Sequence, residues 1–183
     1  MGDIVLAGAT SGTTTLTPTA VSGTTTLTLP TTNGTVLTNG TNTNFPAGSV
    51  LQVVNATYVV TTSDSSGSYV TSGLTASITP SSASNKILVI VNQLGCGKTG
   101  NSYLLARLKR GATVLATLSG GSGYTNTTTT INFGGLGLTW LDSPSTTSST
   151  TYSTDFATAV ATNQVYVQGN GENSTITLME IKG

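Results

Sequence analysis

The sequence predicts an all-β protein in which an N-terminal, Thr-rich repeat stalk precedes a β-sandwich or jelly-roll domain. Composition is the first reason: Thr accounts for 40 and Ser for 21 of the 183 residues, so one third of the chain carries a small hydroxyl group. The second reason is patterning. Apolar residues occur in short runs rich in Val and Ile, separated by Gly, Asn, Pro and Ser, and no segment has a convincing helical period.

An internal repeat of 11 residues occupies the first quarter of the chain. Gly12, Gly23 and Gly34 are spaced 11 apart, and the string Ser-Gly-Thr-Thr-Thr-Leu-Thr occurs in the first two copies. Each copy predicts one short strand that cannot form a core alone, so we expect three chains to stack the repeat leucines around a common axis. The alternative is a flexible Thr-rich linker. The leucines concerned are Leu16, Leu27 and Leu37.

A stretch rich in Asn, Gly and Pro at 38–48 supplies turn residues and marks the predicted domain boundary. We place the repeat segment at 1–44 and a C-terminal domain at 45–183. Short strands at close spacing predict a sandwich or jelly roll in this domain. The predicted strands lie near Val50–Thr62, Gly67–Thr79, Lys86–Gln93, Tyr103–Arg110, Thr113–Ser119, Thr127–Leu141, Thr150–Ala159, Gln164–Gln168 and Thr175–Lys182.

Two of these strands are apolar on both faces. Ile87–Val91 is a continuous apolar run, and the last strand has Ile176 and Leu178 on one face and Met179 and Ile181 on the other. This pattern predicts strands in the centre of a sheet that are buried on both sides.

Composition and charge exclude several classes of function. The chain has six Lys or Arg against six Asp or Glu, and no His. We expect no nucleic-acid partner, because neutralisation of phosphates by basic residues dominates such binding. With no His and one thiol, the chain lacks the usual transition-metal ligands and the common general base, so we expect no metal, no cofactor and no catalytic residue. The longest apolar run is far shorter than a membrane span, so we expect no membrane insertion.

One short motif resembles a nucleotide-binding loop. Gly95-Cys96-Gly97-Lys98-Thr99 ends like a phosphate-binding loop, but position 92 is Asn where that motif requires Gly, and no helical pattern follows. We interpret the motif as a glycine-rich loop between strands. Cys96 has no predicted base beside it, so we expect an unreactive, reduced thiol.

Asp142 and Asp155 are the acids in the middle of the C-terminal domain. Two carboxylates could cleave a glycoside if they lay about 5 to 10 Å apart. Asp142 precedes Ser-Pro, however, and Asp in such a turn commonly bonds backbone amides. A structural role is therefore the preferred interpretation of this residue.

Several phrases of the chain carry a family resemblance, among them Gly-Ala-Thr-Ser-Gly-Thr-Thr-Thr-Leu at 8–16, Ile-Thr-Pro-Ser-Ser-Ala-Ser-Asn-Lys-Ile-Leu-Val at 78–89 and Ser-Thr-Ile-Thr-Leu-Met-Glu-Ile at 174–181. With these phrases the chain resembles tail-fibre and virion structural proteins of bacteriophages, especially those of aquatic and cyanobacterial phages. The resemblance implies a homotrimer with an N-terminal stalk and a small C-terminal knob. The knob is also similar to the trimeric jelly rolls of the complement and tumour-necrosis-factor type.

The resemblance implies a virion protein assembled in the host cytoplasm, and the N-terminus has no signal-peptide pattern. Ile4, Val5 and Leu6 form an apolar trio for which the thin stalk offers no partner strand. We interpret the trio as a virion-anchoring strand that docks on a tail or capsid protein. The alternative is that it caps the trimer axis.

A host-surface contact is the other expected site. Arg107, Lys109 and Arg110 form the basic cluster of the C-terminal domain and could touch anionic surface sugars, with a solvated hairpin face as the alternative. Tyr124 joins this candidate surface because an aromatic ring can stack on a sugar, whereas Trp140 is expected in the core.

Three roles are compatible with these features. The preferred expectation is a short trimeric tail fibre whose knob binds a host-surface glycan or protein. A capsid decoration protein or head fibre held by its N-terminal segment stays open, because the repeats begin almost at once, where long fibres of this kind usually carry a separate tail-adaptor domain. A polysaccharide depolymerase is the remote alternative, since the C-terminal domain leaves little room for an extended sugar groove.

Overall fold

The computed structural model describes residues 4–7, 13–16 and 45–183. The chain divides into two compact units, Met1–Val36 and Leu37–Gly183. Leu27 and Leu37, and the stacking of repeat leucines predicted for them, lie outside the described residues.

In the first unit, β1 (Ile4–Ala7) pairs in antiparallel fashion with β2 (Thr13–Leu16). Ile4 lies opposite Leu16, and Val5 and Leu6 lie opposite two threonines of the first repeat copy. The expectation that the apolar trio has no partner strand is therefore wrong. The β-branched residues of the first repeat copy provide that strand from the same chain.

Residues 45–183 contain ten strands and one short 3-10 turn, Gly169–Gly171. All nine predicted strands are present, and the prediction of an all-β protein is confirmed. The first predicted strand is interrupted after Tyr58. The strands are β3 (Val50–Tyr58), β4 (Thr62–Asp64), β5 (Val70–Ile78), β6 (Lys86–Thr99), β7 (Leu104–Arg110), β8 (Thr113–Ser122), β9 (Ile131–Asp142), β10 (Thr150–Thr158), β11 (Gln164–Val167) and β12 (Ser174–Ile181).

These strands form two antiparallel sheets. Sheet I has six strands: β3, β12, β6 and β9 lie side by side in that order, and β11 and β4 continue the sheet beside the last residues of β6. Sheet II has the order β5-β10-β7-β8. The long strand β6 pairs with three other strands, more than any other strand of sheet I. Its first half pairs with β12, its last residues pair with β11, and β9 runs along its other side; β4 in turn pairs with β11.

The two sheets pack face to face, because successive side chains of a strand alternate between its faces and most inward-pointing residues of the facing strands are apolar. The main core cluster consists of Leu74, Ala76, Ile78, Ile87, Val89, Val91, Leu108, Tyr152, Ile176 and Leu178. A second cluster consists of Cys96, Leu104, Ala106, Phe156, Val165 and Val167. The core therefore lies between the sheets along the whole length of β6.

The strands predicted to be buried on both faces are central but only half enclosed. In β12, Ile176 and Leu178 are fully buried, whereas Met179 and Ile181 on the opposite face are half-buried. β6 follows the same pattern over its first half. The prediction of two buried faces is wrong for the single chain, because within residues 45–183 sheet II covers only the inner face of sheet I.

Candidate functional site

The basic cluster and the two aspartates, which are far apart in the sequence, form ion pairs with each other. Asp155 Oδ2 lies 3.2 Å from Arg107 Nη2 and 3.0 Å from Lys109 Nζ. Asp142 Oδ2 lies 2.7 Å from Arg110 Nη1. Three cations and two buried carboxylates leave one net positive charge, which gives this cluster little attraction for an anionic ligand.

Strand register explains the pairing at Asp155. β10 lies beside β7, and Asp155 lies directly opposite Arg107 on the outer face of sheet II, with Lys109 two residues along. The guanidinium carbon of Arg107 lies 3.7 Å from the centre of the Tyr69 ring, which adds a cation–π contact and shields the ion pair from water. The pair therefore stabilises the outer face of sheet II.

Asp142 connects the two sheets. It ends β9 in sheet I, and its carboxylate accepts hydrogen bonds from Arg110 and from the Tyr152 hydroxyl at 2.7 Å, both of which belong to sheet II. Burial raises the pKa of Tyr152 above its usual range, and the hydrogen bond to the Asp142 carboxylate raises it further. The predicted role of Asp142 in bonding turn amides is replaced by side-chain bonds between the sheets.

The phosphate-loop-like motif is part of a strand. Gly95–Thr99 belongs to β6, so the prediction of a loop there is wrong. A Cβ atom on Gly97 would clash with the ring of Tyr166. The glycine thus allows close packing of β11, and no phosphate needs to be invoked.

Lys98 of the same motif is fully buried, and its ammonium group is hydrogen-bonded within the protein. Its ammonium group donates to Gly100 O at 3.0 Å, Thr125 Oγ1 at 2.6 Å and Thr127 O at 3.2 Å. These bonds satisfy its three donors and fasten the connection between β8 and β9 to the end of β6. Lys98 is therefore a structural residue.

We expect Cys96 to resist thiol reagents in the native protein. The side chain is fully buried in the second core cluster, and burial, followed by the nearby charge of Glu172, raises the pKa of the thiol to about 12. Alkylation by iodoacetamide at pH 8 should be at least roughly 100-fold slower than in the unfolded chain, since the thiolate is the reactive form. Native and denatured labelling rates that agree within a factor of two would contradict this.

An aromatic cleft lies where β7 begins and β8 ends. Tyr103, Gly120, Gly121 and Tyr124 line a cavity of about 240 Å³. The two tyrosine rings meet edge to face, with centroids 5.8 Å apart and planes at 86°. The structure therefore separates Tyr124 from the basic cluster with which the sequence grouped it. Tyr103, Gly120 and Gly121 were not among the site residues predicted from the sequence, although two adjacent glycines after a strand pattern are a typical signal of a bulge.

The outer face of sheet I, here called the apolar face, is the other notable surface. Cross-strand register aligns four apolar residues in one row across β3, β12, β6 and β9: Val53, Met179, Leu88 and Leu141. Ile90, Ile181 and Val50 lie in adjoining rows of the same face. The outer face of sheet II instead carries mainly Thr and Ser residues and the ion pairs of Asp155, with Leu105 and Val114 beside them.

Four other predicted residues lie in the described strands of the first unit. Ile4, Val5 and Leu6 belong to β1, and Leu16 ends β2 opposite Ile4. Among the described residues, no helix has the length and hydropathy of a membrane span. The same residues bring together no group of three or more His, Cys, Asp or Glu that could hold a metal ion.

No protein-family model matches the chain, and no curated protein matches its sequence.

Proposed function

We propose that this chain is a non-enzymatic structural protein of a bacteriophage virion: a short tail fibre that assembles as a homotrimer and presents residues 45–183 as a knob that binds the host surface. The observation that carries the proposal is the apolar face of sheet I. The proposal also rests on the 11-residue repeat and on the resemblance of the sequence to phage fibres.

The apolar face is too exposed for an isolated domain. The exposed fraction is 56% for Val53, 51% for Leu141 and 50% for Val50. Contiguous apolar patches of this kind mark interaction surfaces. A partner on this face would also give β6 and β12 the burial on both sides that their sequences predict.

A second copy of the same chain is the partner that fits best. The row on one side of the apolar row consists of the uncharged residues Asn55, Thr177, Ile90 and Thr139, and the row on the other side contains Val50, Ile181 and one charged residue, Lys86. A surface with one charge in these three rows provides little electrostatic selection for a different protein and can pack against itself around a symmetry axis. Three copies are proposed because the strand order of the two sheets corresponds to an eight-stranded jelly roll, the fold of the trimeric proteins that the knob resembles.

The proposal includes no catalytic step. The two carboxylates that could have formed a glycosidase pair, Asp142 and Asp155, are each buried and bonded to cations. The thiol of Cys96 is buried in the core. These residues have structural partners that account for their positions.

The anchoring role proposed for Ile4, Val5 and Leu6 takes a modified form. One edge of β1 pairs with β2, and within the described residues no strand pairs with its other edge. That edge can add to a sheet of a tail or capsid protein by β-augmentation. The proposed partners of the chain are therefore itself, a phage tail or capsid protein, and a host-surface glycan or protein.

We expect the purified full chain to sediment at three times its 18.4 kDa mass. Val53→Lys together with Leu141→Lys should place six uncompensated charges in the trimer contact. The protein concentration below which the trimer dissociates should then be at least about tenfold higher than for the wild type, because burying an unpaired charge costs several kcal/mol. Sedimentation velocity over a concentration series measures this shift, and circular dichroism checks that the variant keeps its β structure.

Val114→Lys is the matched control for this experiment. Val114 is also exposed, at 46%, but lies opposite Lys109 on the outer face of sheet II. Its substitution should leave the trimer unchanged. A monomeric wild-type chain, or equal weakening by the double variant and the control, would contradict the proposed assembly.

A further inference from the structure

We propose that the aromatic cleft formed by Tyr103, Gly120, Gly121 and Tyr124 binds the terminal sugar residue of a neutral glycan. The assignment rests on the proposed function, since it names the ligand class of the host-binding knob. It moves the expected contact away from the basic cluster, whose cations are engaged by Asp142 and Asp155.

The walls of the cleft favour a ring-shaped ligand with an apolar face. Tyr124 is 58% exposed, and its ring stands at right angles to that of Tyr103. The C–H groups on one face of a sugar can pack on one ring while the sugar edge lies along the other. The cleft volume of about 240 Å³ is below the range of roughly 300–1,000 Å³ for drug-sized ligands, so the cleft holds about one sugar ring.

The floor of the cleft is a preorganised β-bulge. Between the pairs Leu104 with Ser122 and Ala106 with Ser119, β7 contributes one residue and β8 contributes two, Gly120 and Gly121. The buried Ser119 hydroxyl holds this shape, because it accepts from Gly121 N at 3.1 Å and Ser122 N at 2.9 Å and donates to Leu104 O at 3.0 Å. A bulge at an edge strand takes backbone polar groups out of the ladder.

The two glycines keep the cleft open. A side chain at 121 would press against the Tyr103 ring, whereas a Cβ atom at 120 would meet no protein atom within 4 Å. The space above Gly120 is therefore available to a ligand.

The polar groups around the cleft are uncharged, which selects a neutral polyol. The four lining residues are two tyrosines and two glycines, and none of them is an acidic or basic residue. The Tyr124 hydroxyl donates to Asn126 Oδ1 at 3.3 Å, which positions the ring and leaves the hydroxyl oxygen able to accept from a sugar hydroxyl. Sugar hydroxyls can also bond the backbone groups of the bulge, whereas a proline or phenyl ring would leave those groups unsatisfied.

Saturation-transfer NMR with the full-length protein tests the site. The probes are the methyl glycosides of glucose, galactose, mannose and N-acetylglucosamine, with N-acetylproline amide as the peptide-like competitor. At least one glycoside should give a saturable signal. Tyr124→Ala should weaken its binding roughly tenfold, the equivalent of losing one aromatic contact.

Gly120→Val should abolish glycoside binding, because the valine side chain would occupy the space of the cleft. The protein should tolerate this change, since a Cβ atom at position 120 meets no protein atom within 4 Å. Thr113→Val, at the exposed far end of the same strand, is the control and should bind as the wild type does. Absence of a saturable signal with all four glycosides, preferential binding of the proline probe, or unchanged binding by Gly120→Val would overturn the assignment.

Sedimentation of the same samples separates this inference from the proposed assembly. The cleft residues belong to sheet II and its connections, away from the apolar face. A trimer that binds no glycoside contradicts the cleft alone, and a monomer that binds one contradicts the trimer alone.

Discussion

Replacing Glu180 by Gln should lower the free energy of unfolding by about 3 kcal/mol at pH 7, the largest loss we expect from an isosteric change in this chain. Glu180 lies in β12, is fully buried and has its carboxylate aimed at donors from β3 and from the connection between β5 and β6. It accepts from Gln52 Nε2 at 2.6 Å, from Ser81 N and Oγ at 2.6 and 2.8 Å, and from Asn85 Nδ2. An amide in its place would direct N–H groups at those donors.

The same carboxylate makes stability depend on pH. Burial acts to raise the pKa of Glu180, but the hydrogen bonds from Asn85, Gln52 and Ser81 outweigh it, so the folded-state pKa is below its ordinary value of 4.5. A lowered pKa means that the stabilisation is present above pH 4.5 and is lost as the pH falls through the folded-state pKa. The wild type should therefore lose stability in acid more steeply than Glu180→Gln does.

Glu172→Gln is the chemically matched control. Glu172 is half-buried and accepts a hydrogen bond from Gly95 N at 3.0 Å. Its replacement should cost about 1 kcal/mol or less. Denaturant unfolding at a fixed protein concentration measures both variants, because assembly makes apparent stability depend on concentration. Equal losses in the two variants, or parallel acid profiles of wild type and Glu180→Gln, would refute the role given to Glu180.

Replacing Gly95 by Ala should destabilise the protein by at least about 3 kcal/mol. Gly95 has a φ of +61°, a conformation that costs an L-residue roughly 1–2 kcal/mol. A methyl group there would also clash with the backbone of Gln168 and Gly169, which leaves no flexible side chain to move aside. The expected result is a large drop in the denaturation midpoint or failure to fold.

Gly120→Ala provides the comparison within the same chain. Position 120 has open space around its Cβ direction and is not among the residues with positive φ. Alanine there should be neutral or stabilise by about 0.5 kcal/mol, because it restricts the unfolded chain. If both alanine variants unfold at the same denaturant concentration, close packing of Gly95 against Gly169 is not what requires the glycine.

The sequence alone determined the strands of the C-terminal domain, because strand formation is encoded locally. The alternation of Leu74, Ala76 and Ile78 with polar residues predicted the inward face of β5, and all three are buried. The sequence also indicated that β6 and β12 are central, since a strand between two neighbours carries apolar residues in runs. The sequence could not show whether another sheet or another chain covers each face of β6 and β12.

The bonding partners of the polar residues could not be predicted from the sequence, because they depend on tertiary contacts. Ser81 and Asn85 precede Glu180 by 99 and 95 residues in the chain, and nothing local shows that they bind it. The pairing of Arg107 with Asp155 likewise depends on strand register, and the requirement for Gly95 depends on the approach of Gly169.

The aromatic cleft follows the same rule. Tyr103 and Tyr124 meet only because β7 and β8 pair with a bulge at Gly120 and Gly121. Side-chain periodicity is a property of consecutive residues and can be read from them, whereas ion pairs, close glycine contacts and clefts join residues distant in the chain. Those contacts are set by sheet order and register, and both are fixed by the packing of the whole domain.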